Sequence, residues 1–115
     1  SPGGSRIITT VLQVLLNRLV QGLNLASAVA APRFHSQLWP DQISLEEGFS
    51  PDTVRLLEGM GHRLQRAPAM GSANSVEVLY RVPPSAGDAA APLPSGSLGV
   101  ADPRRLDAAA VPERP

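Results

Sequence analysis

The residues best suited to chemistry stand at the start of the chain, where "SPGGS" directly precedes "RIITTVLQVLLNRLVQG", its longest apolar-periodic run. Glycines ahead of a helix let a ligand approach the backbone and admit φ/ψ values closed to other residues. The helix beyond them offers unpaired N–H groups and the positive end of its dipole. A turn at Gly3 and Gly4 can therefore hold a phosphate or carboxylate, or act as an oxyanion hole. In such a hole, donors about 2.7–3.1 Å from the developing charge are each worth roughly 3 kcal/mol. Taken alone, these five residues stay open between a plain strand-to-helix turn, the commoner use of such glycines, and an anion or oxyanion site.

The other candidates are weaker. His35 and His62 lack HxxxH or HxH spacing, so a satisfied or surface histidine is the expectation, and no metal site. Glu46 and Glu47 are neighbours on an expected strand; they point to opposite faces and cannot form a carboxylate pair. Ser1, Ser5 and Ser72 have no nearby histidine to activate a nucleophile, and Asp102-Pro103-Arg104 reads as a solvated turn. The residues alone give an anion-binding turn and no complete catalytic set.

Composition narrows the classes further. The 115 residues form one domain at most. Charged residues are 17% of the chain, below the roughly 25% of ordinary soluble domains, which suits one layer of something larger whose outer face is covered. The ten cations are all arginine and balance ten acids without clustering, so no nucleic-acid footprint is expected. Without lysine there is no Schiff-base chemistry, and without cysteine no disulfide, thiolate nucleophile or thiolate metal site. Gln13, Asn17 and Arg18 interrupt the apolar run from Ile7 to Leu23, which argues against a membrane span or signal peptide. The chain lacks an initiator methionine and begins at a turn, so a fragment or processed subunit is expected.

The elements that would position the turn follow from periodicity. Ile8, Val11, Leu12, Leu15, Leu16, Leu19 and Leu23 recur at helical spacing, with Thr10, Gln13, Asn17 and Gln21 opposite and Gly22 as the stop. Asn24 caps a second, shorter helix that ends before Pro32, and Ala26, Ala28 and Ala30 allow it close packing. "RFHSQLWPDQISLEEGF" predicts two short extended pieces around a Pro40-Asp41 turn. Ser50-Pro51-Asp52 starts a third helix, closed by Gly59 and Gly61. "HRLQRA" and "SVEVLYRV" are strand candidates, the latter alternating Val76, Val78 and Tyr80 against Glu77, Leu79 and Arg81. Residues 83–97 read as a mobile Pro/Ala/Gly-rich insertion, and 98–115 as a final short strand near Leu98–Val100, an Asp-Pro-Arg turn and a tail. The class is α+β with mainly antiparallel strands, because most connections are too short for parallel crossovers.

"SPGGSRIITTVLQVLLN", "GLNLASAVAAPRFH", "WPDQISLEEGFSPDTVRLLEGMGH", "AMGSANSVEV" and "ADPRR" together resemble, in order, the C-terminal part of the small subunit of the γ-glutamyltranspeptidase (glutathione hydrolase) family. The resemblance runs in register from Ser1 to about Val78 and resumes at Gly99–Arg105. It implies an αββα N-terminal-nucleophile hydrolase sandwich, residues 1–82 being the C-terminal portion of the small-subunit catalytic domain. It also implies a precursor that cleaves itself, and a threonine nucleophile that takes the γ-glutamyl group from glutathione and passes it to water, an amino acid or a peptide. In the family's serine-proline-glycine-glycine motif the glycines give backbone N–H groups to the oxyanion hole; here they are Gly3 and Gly4. The nucleophile and the groups that hold the substrate's α-amino and α-carboxylate ends are expected outside this chain, and Thr9 and Thr10 are helix residues rather than that nucleophile. The implied partners are the rest of the small subunit, the large subunit and a γ-glutamyl substrate; no cofactor is implied, and the implied compartment is periplasmic or extracellular. Two departures stand out: Ser36 follows His35 where the family often has a second histidine, and residues 83–97 lack a counterpart in the compact family pattern.

Overall fold

A computed structural model describes residues 3–81 and 93–105. The first helix, α1 (Arg6–Leu19), has no side-chain cap; Ser5 is itself helical, at φ −60° and ψ −21°. Its start is held by the backbone, with Arg6 N–H donating to Gly3 O at 3.1 Å and Ile7 N–H to Gly4 O at 3.2 Å. Gly22, at φ +74°, supplies the left-handed residue beyond its last turn. Helix α2 (Leu25–Ala30) is capped as expected, the Asn24 side chain accepting from Ser27 N–H at 2.8 Å. Of its three alanines only Ala28 is buried, beside Leu25 and Val29.

Strands β1 (Phe34–His35) and β2 (Ile43–Leu45) pair antiparallel across the Pro40-Asp41 turn, Phe34 opposite Leu45 and His35 opposite Ser44. Helix α3 (Pro51–Gly59) follows, with Ser50 Oγ accepting from Thr53 N–H and Pro51 in the first turn. It carries the chain over to β3 (Leu64–Arg66), which lies parallel to β2. One crossover does fit, then, because α3 lies within that connection. The α+β class and the antiparallel character of the other two pairings are as expected.

Strand β4 (Ser75–Arg81) pairs antiparallel with β5 (Leu93–Val100) along its whole length, from Ser75 opposite Val100 to Arg81 opposite Leu93. The final strand is thus longer than the piece near Leu98 that composition allowed. Pro94 lies toward the far end of this two-stranded ribbon, where a missing N–H costs little, so proline content alone misjudged residues 93–97. The remainder of the expected insertion, 83–92, and the tail, 106–115, lie outside the described residues.

The faces that α1 and β4 turn inward are largely polar. The core cluster is Val14, Leu25 and Val29, with Ala73 and Val100 against it. On α1 the buried residues are Thr10 and Val14, while Ile8, Leu12, Leu15 and Leu19 are exposed, Ile8 to 75%. The stripe Ser5, Thr9, Gln13, Asn17, spaced four apart, meets the rest of the chain instead. Gln13 Nε2 donates to Phe34 O at 2.7 Å, Phe34 N–H donates back to Gln13 Oε1 at 3.0 Å, and Asn17 Nδ2 reaches Ala28 O. Strand β4 is oriented the same way. Glu77 faces α1 and receives Arg18 Nε at 2.6 Å and Nη2 at 3.1 Å, whereas Val76, Val78 and Tyr80 are exposed.

Candidate functional site

Gly3 and Gly4 form the turn into α1 at φ +139° and +57°. A side chain on Gly3 would meet Arg6 Cβ at 3.6 Å and Gly71 Cα at 3.9 Å, ordinary contacts, so backbone conformation rather than space demands glycine there. With their carbonyls turned into the helix, the N–H groups of Gly3 and Gly4 find no acceptor among the described residues. They lie at the positive end of a 14-residue helix with no acid in its first turn. Two backbone donors at a helix start, without a competing carboxylate, suit a developing negative charge.

Gly3 also lines a cavity of about 290 Å³ with Ala69, Gly71, Arg104 and Arg105. Beneath it lies an ion-pair network that sequence reasoning missed. Arg33, 2% exposed, donates to Met70 O at 2.7 Å, Val29 O at 3.0 Å and Asp102 Oδ2 at 2.8 Å. Asp102, wholly buried, also accepts from Ala73 N–H at 2.6 Å and Arg104 N–H at 3.0 Å. Arg104 grips Glu46 with two parallel bonds, Nε to Oε1 at 2.8 Å and Nη2 to Oε2 at 2.6 Å, and reaches the α2 C-terminal carbonyls of Val29 and Ala31. Glu46 accepts besides from the N–H groups of Arg33 and Met70. Asp102 is therefore interior and Arg104 largely covered, with only Pro103 of that turn exposed, and Glu46 turns inward while Glu47 stays exposed.

Burial pushes the Glu46 carboxyl up, but the Arg104 hydrogen bond and the two backbone N–H groups outweigh it and hold it below its ordinary range. Asp102 behaves likewise: burial raises it, while the Ala73 and Arg104 N–H groups and then Arg33 bring it down. Arg104 is raised, chiefly by its bond to Glu46. These groups are fixed in their charged forms, so they serve as a frame and not as proton carriers. The frame ties α2, the end of β2 and the 70–73 segment together and sets Gly71 against Gly3. Its sequence signals were faint: an all-arginine cation set and two Pro-Arg pairs.

His35 is buried and satisfied, as expected. Its Nδ1 lies 2.7 Å from Thr9 Oγ1 and its Nε2 lies 2.9 Å from Gln37 Oε1. This Thr–His contact is not a nucleophile pair, because Thr9 also bonds its own helix at Arg6 O and an amide, not a carboxylate, meets the far ring nitrogen. Ser5 donates to the same Gln37 oxygen at 3.0 Å and not to the imidazole. His62 is exposed, and among the described residues no group of three His, Cys, Asp or Glu side chains is placed to hold a metal. Ser1 lies outside the described residues; Ser72 is buried.

Comparison with known proteins gives this geometry a context. The sequence profile of the gamma-glutamyltranspeptidase family matches residues 1–111. The glutathione hydrolase proenzyme of Escherichia coli (strain K12) is 48% identical over 108 residues, covering 93% of this chain and 16% of that protein. A proenzyme of the same name from Pseudomonas sp. (strain A14) is 40% identical, over 91% of this chain and 18% of its own length. Among solved structures, the T380A mutant of Helicobacter pylori gamma-glutamyltranspeptidase superposes with a TM-score of 0.75 at 41% identity, covering 91% of this chain and 52% of that one. The chain thus spans less than a fifth of these two proenzymes and about half of the solved chain.

Proposed function

The chain belongs to the gamma-glutamyltranspeptidase family, and from that premise we propose that it is the C-terminal part of the small subunit of a glutathione hydrolase, with Gly3 and Gly4 as its oxyanion donors. The observation that carries this reading is the pair of N–H groups at the start of α1 that find no acceptor among the described residues, held at positive φ in a glycine turn. In the parent enzyme a threonine outside these residues attacks the γ-glutamyl amide. The carbonyl oxygen takes up negative charge, and the two N–H groups stabilise it more than they stabilise the neutral carbonyl. The acyl-enzyme then passes its γ-glutamyl group to water or to an acceptor amine.

The outward apolar faces of α1 and β4 support a place within a larger assembly, covered by the rest of the small subunit and the large subunit. The relatives are named proenzymes, in keeping with self-cleavage of a precursor. The isolated chain is inactive on this reading, and the compartment is periplasmic or extracellular.

The test uses the parent proenzyme. Gly4→Asn keeps the N–H and tolerates φ +57°, whereas Gly4→Pro removes the N–H and cannot adopt that φ. Release of glutamate from glutathione should fall about 10²–10³-fold in kcat for the proline variant, with KM little changed, while the asparagine variant stays within a few-fold of the wild type. A processed Gly4→Pro enzyme with undiminished kcat refutes the oxyanion assignment.

A further inference from the structure

One amide outside the glycine turn is built to hold it. Gln37 Oε1 accepts from Ser5 Oγ, the residue immediately after Gly4, at 3.0 Å, and lies 2.9 Å from His35 Nε2. The amide's other end is fixed too, Gln37 Nε2 donating to Trp39 O at 3.1 Å. His35 is anchored from behind: it is buried, sits on β1, and meets Thr9 in the next turn of α1 through Nδ1 at 2.7 Å. An imidazole whose Nε2 bears hydrogen donates to the amide oxygen, and its Nδ1 takes the single Thr9 hydroxyl hydrogen when that hydrogen turns from Arg6 O, 3.2 Å away, to the nearer ring nitrogen.

The consequence is geometric. Helix α1 starts without a side-chain cap on its own backbone, and the Ser5 hydroxyl that would ordinarily cap it is directed to Gln37. The direction of the Gly3 and Gly4 N–H groups then depends on a bond from Ser5 to a loop 32 residues away in sequence. Glycines at φ +139° and +57° have wide conformational freedom, and a displacement of well under an ångström spoils an oxyanion contact.

We propose that Gln37 is a positioning residue for the glycine turn, fixing through Ser5 the direction in which Gly3 and Gly4 present their N–H groups to the reacting carbonyl. This rests on the oxyanion reading of those glycines. Gln37 itself touches no reacting atom.

The experiment again uses the parent proenzyme, with glutathione as substrate, glutamate release as readout, subunit processing checked on a gel and thermal midpoints measured. Gln37→Met keeps the length of the side chain and removes the acceptor. Ser5→Ala removes the donor; Ser5→Thr keeps a hydroxyl. Gln37→Met and Ser5→Ala should each lower kcat roughly tenfold with KM for glutathione unchanged, and Ser5→Thr should restore most of the loss. Because the two side chains act through one bond, the double variant should be no slower than the worse single one.

Unchanged kcat in a processed Gln37→Met enzyme overturns the proposal, and so do losses that multiply in the double variant. Should Gln37→Met fail to process, Ser5→Ala, which deletes one exposed hydroxyl, decides: a lowered kcat at constant KM supports the proposal and an unchanged one overturns it. The Gly4→Pro comparison separates the two layers. A Gly4→Pro enzyme of undiminished kcat removes the oxyanion reading and this proposal with it, whereas a slow Gly4→Pro beside a normal Gln37→Met removes the proposal alone.

Discussion

Asp102 and Glu46 show how much depends on single side chains here. Each is a buried carboxylate whose oxygens are filled by guanidinium and backbone N–H donors, and each is held below its ordinary acid range. Removing one partner strands a buried charge. Asp102→Ala leaves Arg33 uncompensated at 2% exposure, and should cost about 3–5 kcal/mol in urea unfolding of the parent protein. The same pair predicts an acid limb. Because their folded-state pKa values lie below the ordinary 4.5 and 3.8, the unfolded chain binds more protons as pH drops. Their stabilisation is therefore complete above about pH 5 and is lost as pH falls through the folded values. Stability measured from pH 7 to 3 should decline below pH 5, and Glu46→Gln should flatten that decline.

Among the elements, α1 holds the main lesson. Its helical period was plain from Ile8 to Leu19, and so were its stop at Gly22 and the Asn24 and Ser50 caps of the next two helices. Its apolar face points outward, because a hydrophobic stripe says that something apolar must cover it but not that this chain does. The polar stripe Ser5, Thr9, Gln13, Asn17 carries the contacts within the chain. Two substitutions one residue apart should then diverge in the isolated chain. Leu15→Glu, at a half-exposed position, should leave the thermal midpoint nearly unchanged and reduce self-association in size-exclusion chromatography. Val14→Asp, in the core cluster, should abolish cooperative unfolding. In the parent proenzyme Leu15→Glu should instead impair assembly. Strand β5 carries the converse lesson: proline and glycine content suggested an irregular segment, but pairing with β4 makes Leu93–Val100 a strand.

At the scale of the whole molecule, the buried apolar residues among those described are few: Val14, Leu25, Ala28, Val29, Leu45 and Met70. Against them stands a long series of exposed leucines, isoleucines and valines on α1, β4 and β5. A small core beside a buried polar frame, in which Arg33 Nε alone among the described buried side-chain atoms lacks a partner, gives the isolated chain little stability of its own. The isolated 115 residues should therefore unfold in urea with low cooperativity, at an m value below about 1 kcal/mol/M. Joined to the remainder of the parent, the same residues should unfold in one steeper transition. The low charge content expected of a layer inside something larger agrees with these exposed faces, and with a chain that spans 16% of its Escherichia coli relative.

The sequence by itself determined the element order, two of the three helix caps, the α+β class and the family, since local propensity and ordered motif blocks need no knowledge of distant contacts. Only the tertiary structure decided that Arg33, Glu46, Asp102 and Arg104 meet in one buried frame, and that Gln37 reaches Ser5. Those partners are far apart along the chain, and nothing in a residue's type or local spacing encodes which distant charge or amide it will meet. The direction of each amphipathic face was likewise beyond the sequence, because burial is a property of the assembled layers and not of the helix or strand that contributes the side chains.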